Sequence, residues 1–172
     1  GKLPFSIAKN ENNYPYFNPY TMKTDYGYYH GYTLFDKNNI EPLYPFGYGL
    51  SYTSFKLKDL KVNTPKIKKT DTLSFSIDIE NTGEIEGEEV IQLYVGFSYS
   101  SIDRPVKLLR GFKKVLLKHG EIKRVDFNLN PDDLAYYNVE NKKWEIEKMK
   151  YEVSIGSSSN KNDLLKSSFV IK

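Results

Sequence analysis

From about Phe55 onward the apolar residues fall on every second position, in one short run after another. TLSFSIDIEN sets Leu73, Phe75, Ile77 and Ile79 on one face and serine, aspartate and glutamate on the other. RVDFNLN repeats the pattern with Val125, Phe127 and Leu129, KYEVSIG with Tyr151, Val153 and Ile155, and SSFVIK with Phe169 and Ile171. A period of two marks strands that bury one face. EEVIQLYVGF is apolar on both faces and predicts a central strand. LLRGFKKVLL predicts a further strand, with Gly111 at a bulge or close approach. NTGEIEG, with Asn81, Gly83 and Gly87, is a turn signal. PDDLAYYN predicts one helical turn, opened by Pro131 and held inward by Leu134. About seven short strands separated by turns predict an all-β, antiparallel two-sheet sandwich. An apolar fraction of 39% suffices for its core. Phe75, Ile77, Leu93, Val95, Phe127 and Val153 are expected to face inward.

The residues before Phe55 follow a different rule. Ten of the fifteen tyrosines lie in residues 14–52, and Pro4, Pro15, Pro19, Pro42 and Pro45 precede the first alternating run. Proline lacks the backbone donor and biases its predecessor toward extended geometry. Residues 1–45 therefore read as an irregular, extended connecting segment with no core of its own, and residues 46–172 as the sandwich. The rings of the first part need another surface to lie on. YPFGYGLSY packs four aromatics, two glycines and a proline into nine residues. That is too rigid for a linker and too rich in glycine for a strand interior.

Several function classes fall away. The net charge of +3 comes with lysines scattered along alternating segments, which reads as a solvated face and excludes a nucleic-acid surface. No apolar run is long enough to span a membrane. With no cysteine, disulfides, thiolate chemistry and zinc–cysteine sites are excluded. Glu84, Glu86, Glu88 and Glu89 flank a glycine turn without the regular oxygen pattern of a calcium loop, so no metal or other cofactor is expected. His30, among Tyr28, Tyr29 and Tyr32, reads as a packing histidine or a sugar-facing one. His119 sits in an exposed turn. Asp103 and Arg104 suggest an ordered loop, and Trp144 a core anchor in preference to a sugar platform. Glycoside hydrolysis needs two carboxyl groups placed across a cleft, and nothing marks two as a pair. No catalytic residue is assigned. GKLPF carries neither an initiator methionine nor a leader pattern and reads as the start of a piece of a longer chain.

IEPLYPFGYGLSYTSF closely resembles the segment leading into the C-terminal domain of family 3 glycoside hydrolases, the β-glucosidase and β-xylosidase group. GKLPF resembles the end of that family's α/β-sandwich domain, and YGYYHGYTLFDKNNIEP the connecting segment of a bacterial-type branch. NTGEIEGEEVIQLYV looks like the family's sheet core, and RPVKLLRGFKKVLL and YEVSIGSSS are similar to its later strands, in the same order. The resemblance implies an immunoglobulin or fibronectin type III-like sandwich. It also implies a parent whose nucleophile and acid/base residues lie upstream, in and near a catalytic barrel. This chain would then be an inactive accessory region. Its partners would be the barrel and α/β-sandwich domains of the same enzyme, and carbohydrate reached through that parent. Tyr44, Phe46, Gly47, Tyr48, Gly49 and Tyr52 would fill the seam between domains, and Tyr29 and His30 would stand near the substrate. The compartment is left open, with a secreted or periplasmic parent favoured. A stand-alone carbohydrate-binding module and an immunoglobulin-like interaction domain are the competing readings.

Overall fold

The computed structural model describes residues 1–24, 27–68 and 71–172. The chain runs through a short helix α1 (Gly31–Lys37) and then β1 (Phe55–Val62), β2 (Lys66–Ile67), β3 (Leu73–Asn81), β4 (Gly87–Gly96) and β5 (Lys107–Leu117). It continues with β6 (Ile122–Leu129), β7 (Tyr136–Asn138), β8 (Lys143–Glu145), β9 (Lys150–Gly156) and β10 (Leu164–Ile171). Among the described residues one sheet has the order β1-β3-β6 and the other β2-β10-β9-β4-β5, while β7 and β8 form a separate hairpin. Every pairing is antiparallel except that of β2 with β10, which is parallel.

The core follows the alternation. Leu73, Phe75, Ile77 and Ile79 of β3 and Val125, Phe127 and Leu129 of β6 form one wall. Ile91, Leu93 and Val95 of β4, Tyr151, Val153 and Ile155 of β9, and Phe169 and Ile171 of β10 form the other. All six residues expected inward are buried. Phe169 stacks on Tyr151 at 5.2 Å between centroids and meets Phe75 at 5.7 Å, so the rings tie the two sheets together. The helical turn opened by Pro131 is present, with Leu134 fully buried. In β5 the register shifts: Leu93 faces Gly111, Tyr94 faces Leu109, and Arg110 is the extra residue of a bulge. Gly111 lies beside the Phe127 ring, where a Cβ would meet it at ordinary contact distance, so it is the bulge at Arg110, not a close approach, that marks this stretch.

The N-terminal part differs from the irregular segment expected. It contains α1, seven residues long, which is too short to write a helical stripe into the sequence. Local bonds set its start: the Thr33 hydroxyl donates to the His30 carbonyl at 2.7 Å and accepts from the His30 amide at 3.3 Å. Phe35 is buried, and Asp36 pairs with Lys107 of β5 at 2.5 Å, so tertiary contacts hold a helix that propensity alone would not.

The loop between β4 and β5 is fastened by Glu147, from the segment that leads into β9. Glu147 accepts from the Ser100 hydroxyl at 2.6 Å, from the Ser101 amide and hydroxyl at 2.9 Å each, and from Arg104 at 3.3 Å. Burial pushes the Glu147 carboxyl up, but these bonds outweigh it and hold the group below its ordinary value. A depressed carboxylate stabilises the fold above its unfolded pKa and loses that contribution as pH falls through the folded one. E147Q should therefore be less stable than the parent at neutral pH, and the gap should narrow on acidification below about pH 4.5. Melts across pH 3–7 check the sign. A second prediction concerns the core. Phe75→Ala or Phe127→Ala should cost about 3–5 kcal/mol in urea melts, the range for emptying a buried aromatic site; a loss below about 1 kcal/mol would mean that these rings do not fill the core.

Candidate functional site

The outer face of β4 carries Gln92 and Tyr94, both buried although neither belongs to the core between the sheets. Residues 31–49 cover them. The Tyr32 ring packs 5.8 Å from Tyr94 and 5.3 Å from Phe46, and its hydroxyl accepts the Leu109 amide at 3.0 Å. The Tyr94 hydroxyl donates to Gln92 Oε1, and Gln92 Nε2 donates to the Ser157 carbonyl at 3.1 Å. Gly47 sits on this amide with φ +82°, and a Cβ there would run into the Gln92 side chain. Burial raises the phenolic pKa of both Tyr32 and Tyr94, which keeps them neutral donors and acceptors. Burial likewise raises Asp36, against the pull of Lys107, whose ammonium lies within 6 Å of both phenol rings.

The backbone of residues 43–48 is held from two sides. Leu3 and Ile7 bond to Gly47, Tyr48, Leu43 and Tyr44, and the Ser159 amide donates to the Phe46 carbonyl at 2.8 Å. Of the expected seam residues, Phe46 and Gly47 thus pack on the sandwich of this same chain. Tyr48 is half-buried against Tyr44, with centroids 4.8 Å apart. Gly49 lies against the backbone of Gly1. Tyr52 is 99% exposed and Leu50 82%, so the end of the stretch presents apolar surface outward.

Tyr29 and His30 lie at the entry to α1. The Tyr29 hydroxyl donates to Asp103 at 2.6 Å, and Lys37 lies 3.6 Å above the Tyr29 ring while pairing with the same carboxylate at 3.1 Å. His30 is exposed. A cleft of about 250 Å³ between the cover and the outer sheet face is lined by Tyr32, Asp36, Pro45, Lys107, Glu152 and Ser154. Of its carboxylates, Asp36 pairs with Lys107, Glu41 pairs with Lys9, and Glu152 accepts from the Ser98 hydroxyl at 3.0 Å. Asp103 and Arg104 point to different tasks, since Arg104 stacks 3.7 Å over Phe97 and donates to the Leu134 carbonyl at 2.8 Å. Glu88 and Glu89 pair with Lys114 and Lys2.

Trp144 corrects an expectation. It is no core anchor: the indole is 71% exposed and meets Tyr137 edge-on at 5.7 Å. The three-residue strands of the β7–β8 hairpin stand outside both sheets, and the buried residue here is Ile146. Gln92, Asp36, Lys107 and Arg110 were not singled out by sequence reasoning. One signal was available for Gln92, a lone amide inside the apolar run VIQLYV.

Similarity to known proteins runs along the chain. Residues 89–159 match the fibronectin type III-like domain family. The chain is 42% identical over 133 residues to the thermostable beta-glucosidase B of Acetivibrio thermocellus, covering 77% of this chain and 18% of that protein. It is 38% identical over 174 residues to a beta-xylosidase of Formosa agariphila, covering 100% of this chain and 23% of that protein. It superposes on the beta-D-glucoside glucohydrolase of Trichoderma reesei with a TM-score of 0.88 at 33% identity, over 100% of this chain and 26% of the other. For the GH3 beta-glucosidase of Bifidobacterium adolescentis the TM-score is 0.86 at 29% identity, over 99% and 26%. The chain spans between 18% and 24% of the length of the curated relatives it matches.

The Gly47 contact is testable against an internal control. Gly47→Ala should cost about 1–2 kcal/mol for the left-handed backbone and more for displacing Gln92. Gly120 has φ +69° with nothing within 4 Å of a built Cβ, so Gly120→Ala should show the backbone cost alone. Equal losses in denaturant melts would remove the Gln92 contact from the account.

Proposed function

We propose, for a chain that belongs to the family 3 glycoside hydrolases as their C-terminal, fibronectin type III-like region, that its task is scaffolding. In this reading it is a non-catalytic part of a larger exo-acting enzyme that removes terminal β-linked glucose or xylose. Residues 1–45 connect a preceding α/β domain to the sandwich of residues 46–172. The outward rings and side chains around Leu50 and Tyr52 lie in the seam with the catalytic domains. The observation that carries this reading is the two-sided joint: Phe46 and Gly47 are anchored on the sandwich, while Leu50 and Tyr52, a few residues on, are left open. The names of the relatives, beta-glucosidases and beta-xylosidases, support the substrate class. Their greater length supports partner domains on the same polypeptide.

A second reading has its own observation. The exposed Trp144 and Tyr137 pair would suit a carbohydrate-binding module, in which sugars lie on aromatic faces. Trp144 is the chain's single tryptophan, so its fluorescence reports on that hairpin alone. Titration with xylo- and cello-oligosaccharides should leave the emission unchanged if the chain is a scaffold. Saturable quenching would favour the module.

The main test is activity. The chain alone should not turn over aryl β-glucosides or β-xylosides. Within the whole enzyme, Leu50→Asp together with Tyr52→Asp should lower activity while the chain's own melting point holds. Turnover by the chain alone that disappears on substitution of one of its own aspartates or glutamates would sink the scaffold reading.

A further inference from the structure

We infer that Arg110 is a docking cation, whose guanidinium receives a carboxylate from the part of the enzyme that packs along the β5 edge. This inference rests on the scaffold reading, because it names the chemistry of the group that meets this chain. β5 is an edge strand of its sheet, and Arg110 is the extra residue of its bulge. Bulges at sheet edges re-aim a side chain away from the ladder. Here the ladder continues on either side through Gly111 and Leu109, and the Leu109 amide is taken by Tyr32.

Arg110 is left with an imbalance. Its Nε is buried and, among the described residues, is the buried side-chain nitrogen or oxygen that lacks a hydrogen-bond partner. No ion pair joins Arg110 to any described residue. A guanidinium does not escape burial by losing its proton, so a desolvated one calls for an anion. The surroundings make the deficit worse. Burial presses its pKa down and Arg104 adds repulsion, against a smaller opposing pull from Asp133. The nearby charges already have work: Arg104 is paired with Glu147, and an Asp133 oxygen accepts the Asn130 amide at 3.2 Å. Glu147 is thus taken by Arg104, and among the described residues no ion pair joins Asp133 to Arg110.

The approach is open. Tyr28 is 65% exposed, and Phe112, two residues along the same strand from Arg110, is 67% exposed. Apolar surface around a half-desolvated arginine is the composition of a protein contact, where aromatic residues and arginine are enriched. A planar carboxylate matches the guanidinium fork and would be shielded by those rings. A carboxylate on a packed protein surface is therefore the occupant to which this site commits.

Opposite effects in the free and docked chain test it. In the chain alone, Arg110→Met removes an uncompensated charge and should raise the melting midpoint by about 2–4 °C. In binding to the remainder of the enzyme polypeptide, produced separately, the same change should weaken affinity about tenfold or more, while Arg110→Lys should lose less. Lys148→Met, which alters net charge equally at an exposed position, should do neither. A lowered midpoint for Arg110→Met in the free chain would overturn the inference, since the charge would already be compensated. Unchanged affinity would overturn the docking role alone. Succinate or acetate that raises the midpoint of the parent chain but not of Arg110→Met would make a free anion the occupant and overturn it as well. Failure of the unmodified chain to bind the remainder at all would sink the scaffold reading and this one with it.

Discussion

The fold depends on β4 being buried on both faces. A strand in the middle of one sheet of a sandwich needs one apolar face, for the core. Here the second face holds Gln92 and Tyr94 with almost no contact with water. Something must lie over them, and the chain supplies it from its own N-terminal part through Tyr32, Phe46 and Gly47. Residues 31–49 are thus a structural layer of the sandwich, while Tyr16, Phe17, Tyr20 and Tyr52 of the same aromatic stretch stay exposed. The polar groups under it are satisfied in series, Tyr94 to Gln92 and Gln92 to Ser157, which is the condition for burying them without loss.

The sandwich was legible because its physics is periodic. Phe75, Ile77, Phe127 and Val153 sit in runs where a slip of one residue would turn the whole face outward, so the pattern admits one phase. The cover was legible only in part. EEVIQLYVGF announced burial on both faces, which identified β4 as central but did not say what covered its outer side. α1 left no trace, since seven residues give too few turns for a period to register, and its stability comes from Phe35, Asp36 and Lys107 together. Trp144 was misread because residue type is a weak guide on a two-stranded hairpin, which has no second layer of its own. Gln92 and Arg110 were overlooked for a related reason. Their significance lies in what surrounds them in space, a glycine at positive φ for one and a second arginine for the other.

The charges divide along the same line as the packing. Most are spent within the chain: Glu147 fastens the β4–β5 loop, Asp36 fastens α1, and the exposed Asp103 holds Tyr29 and Lys37. Each of these pairs joins residues more than forty positions apart in sequence and pins a loop or short helix to the sheets. They explain how the irregular parts keep a defined place without much core. Arg110 departs from that pattern, and it does so on an edge strand beside exposed rings, where a protein meets other surfaces.

A stretch held this way carries a mechanical consequence. Residues 43–48 are bonded on one side to Leu3 and Ile7 and on the other to Ser159, and Gly47 is locked over Gln92. None of these residues has the freedom of a linker, in which contacts across the boundary are few. Whatever is attached through this stretch inherits the orientation of the sandwich, because turning it would break several backbone hydrogen bonds at once and expose Tyr94 and Gln92 to water. The short span from Phe46 to Tyr52 therefore does two jobs that usually fall to different parts of a protein. Its first half closes the sandwich, and its second half presents apolar side chains from a base that the first half has made rigid. Rigidity at the base lowers the entropy that exposed side chains such as Leu50 and Tyr52 would lose on meeting another surface.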